Sequence, residues 1–134
     1  MGLSFMQETD DNDNQSTSYA FVTKMGVGKG SSLMYEFGQV ASLAKDADQA
    51  TTEQYMLLQN HIYISRGLYF LTTYQQYIAD TSGASETHKF APGIQYFPMQ
   101  RVEIRADIAT IKTYQTGLAT NDQWIYTGQV HLWF

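Results

Sequence analysis

The amino-acid sequence predicts an all-β fold, an antiparallel up-and-down transmembrane β-barrel of about eight strands. Aromatic residues make up 14% of the 134 residues and charged residues only 16%, below the roughly one quarter that is typical of soluble domains. No run approaches the ~20 consecutive apolar residues of a membrane helix. Apolar residues that alternate along short strands give a membrane protein this composition.

Charge and cysteine content exclude several function classes. The chain carries 8 Lys+Arg against 13 Asp+Glu, for a formal net charge of -5, and it has no cysteine. A nucleic-acid binder needs a concentrated basic face, so we expect no nucleic-acid partner. The absence of cysteine removes disulfides, thiolate metal sites and cysteine nucleophiles.

Turn signals divide the chain into short segments rich in β-branched and aromatic residues. The predicted strands are 2–9, 18–28, 32–43, 54–65, 68–79, 88–97, 101–114 and 123–134. The segment 51–59 could form a helix in isolation. We predict a strand there because Ile62, Tyr63 and Ile64 follow it, and such residues favour a pleated surface.

The predicted connections alternate between long and short. The long ones are 10–17, 44–53, 80–87 and 115–122, and the short ones are Lys29–Ser31, Arg66–Gly67 and Pro98–Gln100. This alternation is typical of a membrane barrel with one rim facing outward and the other facing the periplasm. We predict one domain over 1–134, which either closes alone or forms the C-terminal part of a larger barrel.

The seventh predicted strand has the clearest alternation of apolar and charged residues. One face carries Val102, Ile104, Ala106 and Ile108, and the other carries Arg101, Glu103, Arg105 and Asp107. We interpret the charged set as a lumen-facing wall and the apolar set as facing lipid. A catalytic carboxylate pair is the less favoured alternative, because acid–base catalysis needs groups poised against each other. We predict no catalytic residues and no enzyme.

The end of the sequence has hydrophobic residues at alternate positions, namely Tyr126, Val130, Leu132 and Phe134. This pattern resembles the terminal strand of bacterial outer-membrane barrels, in which the assembly machinery recognises a final Phe with such residues before it. Leu132 stands where those proteins more often have an aromatic residue. The segments 90–98 and 101–107, a strand that leads to a tight turn and the strand after it, are similar to the C-terminal part of porin-like barrels.

The resemblance implies a location in the bacterial outer membrane and a non-catalytic, porin-like channel or channel wall for passive passage of small solutes. Implied partners are outer-membrane lipid and lipopolysaccharide, the barrel assembly machinery, and other barrel subunits or envelope proteins. One alternative is a small closed barrel that acts as an anchor or an adhesin-like display of loops. Another is a soluble, lipocalin-like carrier of an apolar ligand, in which the apolar face would point inward.

Aromatic girdles flank the apolar band of membrane barrels. We therefore expect Tyr96, Phe97 and Phe134 near the periplasmic interface and Tyr114 and Trp124 near the outer one.

Metal and cofactor sites are not predicted. The acidic segment Asp10–Asn14 has the oxygen ligands that calcium prefers but lacks the Gly and distal Glu of an EF-hand loop, so a solvated loop is favoured. His61, His88 and His131 lie far apart and lack metal-ligand spacing.

Overall fold

The computed structural model describes residues 1–9, 15–43, 51–79, 85–118 and 120–134. Regular structure in these ranges consists of eight β-strands. They are β1 (Gly2–Thr9), β2 (Gln15–Gly26), β3 (Ser32–Leu43), β4 (Thr51–Ser65), β5 (Leu68–Ile78), β6 (Ser85–Met99), β7 (Val102–Gln115) and β8 (Asn121–Leu132).

The strands form one sheet in the order β1 to β8, and every neighbouring pair is antiparallel. The predicted all-β, up-and-down arrangement of eight strands is confirmed. The segment 51–59 lies within β4, so its assignment to a strand is also confirmed. β1 and β8 are at the two ends of the strand order and do not pair with each other, so the sheet is open.

Strand bounds agree best where turn residues mark the ends. β1 and β3 have the predicted bounds, whereas β2, β4, β6 and β8 begin two or three residues earlier than predicted. The added residues include Thr51, Ser85 and Asn121, whose polarity is typical of loops. They pair in register with Ser42, Gln115 and Thr113 of neighbouring strands. Pairing with a long neighbour therefore extends these strands beyond their apolar pattern.

The turn between β4 and β5 consists of Arg66 and Gly67, as predicted. Gly67 has φ of 74°, a backbone conformation that favours glycine. The connection from β2 to β3 covers 27–31 and is longer than the predicted three residues. Gly28 and Gly30 have φ of 62° and 75° there, so these glycines form a wider turn between β2 and β3.

Two irregularities shape the hairpin of β6 and β7. The register shifts between Tyr96 and Met99, and Pro92 pairs with Thr72 of β5 but with no residue of β7. Proline lacks the N–H that a ladder hydrogen bond needs. The bulge extends β6 to Met99, which leaves Gln100 and Arg101 as the turn.

The two faces of the sheet differ in exposure. Cross-strand partners share a face, so the register assigns every paired residue to the face of Glu103 or to that of Ile104. On β7 the Glu103 face is buried or half-buried through Ala109, whereas Ile104, Ala106 and Ile108 are exposed. A single sheet has no second layer, so this difference indicates curvature toward the Glu103 side. We call that side the concave face and the other the convex face.

Close packing in the described residues occurs on the concave face. Leu71 is 0% exposed and Ala109 is 5% exposed. The Tyr55 ring lies over its cross-strand partner Gly38, where a Cβ atom would collide with the ring. The Tyr55 hydroxyl donates a hydrogen bond to Glu36 Oε1 at 3.0 Å. Glycine at position 38 thus makes room for an aromatic ring on the sheet.

Candidate functional site on the concave face

The charged residues of β7 lie on the concave face. Glu103 is only 8% exposed, while its neighbour Ile104 is 43% exposed and Ile108 is 45% exposed. A soluble sheet that packed its apolar side inward would have the opposite distribution. The strand therefore presents a polar wall on the side toward which the sheet curves.

Glu103 is held by polar neighbours from the strands on either side. Gln95 Nε2 of β6 donates a hydrogen bond to Glu103 Oε1 at 2.6 Å. His131 Nδ1 of β8 lies 3.5 Å from Glu103 Oε2. Because both carboxylate oxygens have a polar neighbour, burial of this charge is compensated by contacts across three strands.

Arg105 and Asp107 form an ion pair along the same strand. Arg105 Nε donates to Asp107 Oδ2 at 2.9 Å and to Oδ1 at 3.2 Å. A Cβ atom at Gly93, the partner of Asp107 on β6, would collide with the Asp107 carboxylate. Gly93 therefore leaves the space in which the carboxylate meets the guanidinium.

A polar groove of about 300 Å³ lies on this face. It spans β4 to β8, and its lining includes Gln59, Gln75, Lys89, Arg105, Asp107 and Gln129. Neighbouring strands are about 4.8 Å apart, so one groove can be lined by five strands only if the sheet is concave there. The Lys89 ammonium group forms no ion pair with any described residue, whereas Arg105 is paired with Asp107.

The convex face is largely apolar. Described charged residues that the register places on it are confined to the ends of β6, β7 and β8 next to the long connections, and they are Glu86, Lys112 and Asp122. The charged residues on the concave face are Glu8, Lys24, Glu36, Glu53, Lys89, Glu103, Arg105 and Asp107. The two faces of the sheet are therefore segregated by charge.

On β6, β7 and β8 the apolar residues of the convex face form a band that extends to the edge of the sheet with the short turns. Phe90, Ile94 and Tyr96 alternate along β6, and Val130 and Leu132 do so on β8, each of them exposed. A depression of about 510 Å³ interrupts this band where Ala106 and Gly128 pair. An exposed apolar band of this extent is typical of a surface that meets lipid or another protein.

The convex face of β2 to β5 also carries uncharged polar residues, and several of them are paired with each other. Asn60 Nδ2 donates a hydrogen bond to Thr72 Oγ1 at 3.2 Å. Tyr19 donates one to Gln39. Pairing of this kind lowers the cost of placing a polar side chain on an apolar face.

The charged margin of the convex face is cross-linked by polar contacts. His88 Nε2 lies 2.9 Å from Glu86 Oε1, and His88 Nδ1 is 2.8 Å from the Tyr74 hydroxyl. The Tyr114 ring packs edge-on against His88. Lys112 Nζ lies 3.6 Å from Asp122 Oδ2. Charge and aromatic rings thus meet at one edge of the apolar band.

Three of the four residues that were predicted to form a charged wall lie on one face of the sheet. Glu103, Arg105 and Asp107 share the concave face, but Arg101 lies exposed in the turn before β7. The strand was predicted to begin one residue too early, because the bulge that extends β6 leaves no sequence signal. The groove was not predicted at all. The period-2 run Lys89, Ala91, Gly93 and Gln95 could have indicated the contribution of β6 to it.

The predicted assembly residues Tyr126, Val130 and Leu132 lie together on the convex face of β8, and all are exposed. Phe134 follows the strand and is also exposed. Tyr114 and Trp124 lie toward the long connections and Tyr96 toward the short turns.

Phe97 also lies near the short turns, but on the concave face. Its ring packs edge-on against Tyr69 of the neighbouring strand. Phe97 therefore lies at the expected end of its strand, but its ring is on the concave face and not on the convex face with Tyr96.

Metal ligands do not cluster in the part of the chain that the structure describes: it contains no group of three or more His, Cys, Asp or Glu residues that could hold an ion. The acidic segment Asp10–Asn14 lies outside the described residues. Among the residues with described structure, no helix is long and apolar enough to cross a membrane.

Comparison with known proteins gives no relative. No protein-family model, curated protein or solved structure matches the chain. Functional inference therefore depends on the two faces of the sheet.

Proposed function

We propose that this chain forms part of the wall of a porin-like outer-membrane β-barrel, which allows passive passage of small solutes without catalysis. In this proposal the convex face meets the bilayer and the concave face lines the water-filled or polar interior. The partners are outer-membrane lipid and lipopolysaccharide, the barrel assembly machinery and further barrel strands.

The observation that carries the proposal is the segregation of charge between the two faces. Eight-residue to fifteen-residue strands are close to or longer than the ~9–11 tilted residues that cross a bilayer. On the convex face, the charged residues that the structure describes are Glu86, Lys112 and Asp122, all at one margin. A band of apolar residues bounded by aromatic and charged side chains is what a lipid-facing barrel wall requires.

Because the sheet is open, its two edge strands must be paired before it can form a barrel in a membrane. β1 and β8 have unpaired edges, and open edges are not tolerated in the hydrocarbon region of a bilayer. Eight strands closed alone enclose an interior filled by side chains, whereas an aqueous channel needs about sixteen. A solute channel therefore requires further strands, from additional copies or from another part of a longer chain. Closure of β1 on β8 would instead give the anchor or loop-display alternative.

The placement of apolar and charged residues on the two faces weighs against the lipocalin-like alternative. A soluble carrier would place its apolar residues toward the interior and its charged residues toward water. Ile104 and Ile108 are instead exposed on the convex side, and Glu103 is buried on the concave side. The groove lined by Arg105 and Asp107 is polar, which does not suit an apolar ligand.

The two tryptophans test the proposal because they lie on opposite faces. Trp124 pairs with Thr110 on the convex face, and the ring of Trp133 packs edge-on against His131, which is on the concave face. A Trp133→Phe variant retains only Trp124, and a Trp124→Phe variant retains only Trp133. We expect brominated lipids to quench Trp124 strongly, and aqueous iodide to quench Trp133 more than Trp124.

Equal quenching of the two residues by lipid, or stronger lipid quenching of Trp133, would contradict the proposed orientation. Absence of lipid quenching from both would remove the membrane assignment. Swelling of liposomes in small sugars then separates a channel from a closed anchor, since a barrel of eight strands alone should not admit the solute.

A further inference from the structure

We propose that the polar groove between β4 and β8 binds small hydroxylated monocarboxylates, the chemical class of the sugar acids. This inference rests on the proposed function, since it assigns a solute class to the concave wall. It goes beyond that function because a general solute channel needs no binding site.

The groove has the size of a small-solute site. Its volume of about 300 Å³ is at the lower end of the ~300–1,000 Å³ range of ligand pockets. Its lining includes the small side chains of Ala91 and Ala109 among longer ones such as Gln75 and Arg105. These small side chains leave space in the polar groove for one molecule of roughly monosaccharide size.

Side-chain amides and hydroxyls line the groove from both sides. Gln59 and Gln75 come from β4 and β5, and Gln129 comes from β8. Gln59 Nε2 donates a hydrogen bond to Thr73 Oγ1 at 3.4 Å, which leaves the Gln59 carbonyl available. The Gln75 and Gln129 side chains form no hydrogen bond with described residues. Each amide offers two donors and an acceptor, which suits a solute whose hydroxyls both donate and accept.

The charge of the lining favours one carboxylate. Arg105 is neutralised by Asp107 through the hydrogen bonds of its Nε atom. Lys89 forms no ion pair with a described residue, so the lining has one uncompensated positive charge. An ammonium group can form a charge-assisted hydrogen bond with a carboxylate, and such bonds are stronger than those between neutral groups. A neutral sugar lacks this interaction, and a simple fatty acid lacks the hydroxyls.

Calorimetric titration of the full chain, refolded in detergent micelles, tests the proposal without requiring a channel. The probes are sodium glucuronate, glucose and sodium propionate. We expect glucuronate to bind about five- to tenfold more tightly than either of the other two, the effect of one added charged hydrogen bond or of the hydroxyl set. Added sodium chloride should weaken binding of glucuronate and leave that of glucose nearly unchanged.

Two lysine variants separate a specific site from a general effect of net charge. Lys89→Gln removes the cation of the groove, and Lys112→Gln removes a cation from the convex face, where it is paired with Asp122. We expect Lys89→Gln to lower glucuronate affinity about five- to tenfold, to the level of glucose. Lys112→Gln should bind glucuronate like the unaltered protein, and circular dichroism checks that both variants fold.

Equal affinities for glucuronate and glucose, equal effects of the two lysine variants, or no binding of glucuronate at all would overturn the proposal. These outcomes are independent of the proposed membrane role, which the quenching of Trp124 tests separately. A chain that inserts into lipid but fails the titration would keep the barrel function and lose the solute class. If the Lys89→Gln variant does not fold, the test is the salt dependence of the unaltered protein. Glucuronate binding that sodium chloride does not weaken would then overturn the proposal.

Discussion

The backbone amide of Phe97 donates a hydrogen bond to the carbonyl oxygen of Gly67 at 2.7 Å. This bond ties the two-residue turn between β4 and β5 to the end of β6. A Cβ atom at Gly67 would lie 2.5 Å from the Phe97 carbonyl oxygen. The turn therefore depends on glycine for its conformation and also for the close approach of a neighbouring strand.

Gly67→Ala should destabilise the folded protein more than Gly117→Ala. Both glycines have positive φ, of 74° and 80°, so both alanines incur a backbone strain of about 1–2 kcal/mol. Among the residues that the structure describes, no group beyond the chain neighbours lies within 4 Å of a Cβ atom placed at Gly117. The steric clash at Gly67 should add about 1–3 kcal/mol. Reversible urea unfolding in lipid vesicles measures the difference, and equal losses for the two variants would contradict the close approach.

Ile104→Arg should lower the free energy of unfolding in lipid by about 2–4 kcal/mol if the convex face meets the bilayer near its midplane. Glu103→Gln should cost much less, since the replacement keeps the shape of the side chain and can still bond Gln95, which reaches Glu103 at 2.6 Å. Urea unfolding in vesicles compares these neighbours on opposite faces. Equal effects would mean that the faces are wrongly assigned.

Tyr55→Ala should destabilise the sheet by about 2–4 kcal/mol, because it removes the ring that covers Gly38. Tyr55→Phe keeps the ring and loses only the hydrogen bond to Glu36, at a cost of about 1 kcal/mol. Tyr77→Phe is the matched control, since the Tyr77 hydroxyl donates to Glu53 at 2.9 Å in an exposed setting. It should cost less than Tyr55→Phe. A loss for Tyr55→Phe as large as that for Tyr55→Ala would show that the ring itself contributes little.

Phe134→Ser should reduce the amount of barrel in outer-membrane fractions much more than it lowers the stability of barrel already folded. Phe134 continues the alternation of Val130 and Leu132, which resembles the segment that barrel assembly machinery recognises. Its own packing contributes little, since the side chain is exposed. The measurement compares membrane levels with refolding yield in detergent. Normal membrane levels of the variant would remove this role, and Gln129→Ser on the other face is the control.

The strand pattern follows from the sequence because its causes are local. Turn residues such as Arg66 and Gly67, and the period-2 alternation of Ile104 with Glu103, mark strands and faces without reference to distant residues. That is why the strand number, the antiparallel order and three residues of the charged wall were predicted from sequence.

Only the tertiary structure decided which face of the sheet is buried and how far each strand extends. It also decided which residues of neighbouring strands lie next to each other. The ladder with neighbouring strands extends β4 and β6 into polar residues, and a bulge places Arg101 in a turn. The groove joins Gln59, Lys89 and Gln129, which are far apart in sequence and meet only because the sheet curves. Curvature and register are properties of all eight strands together, and a period-2 pattern within one strand contains neither.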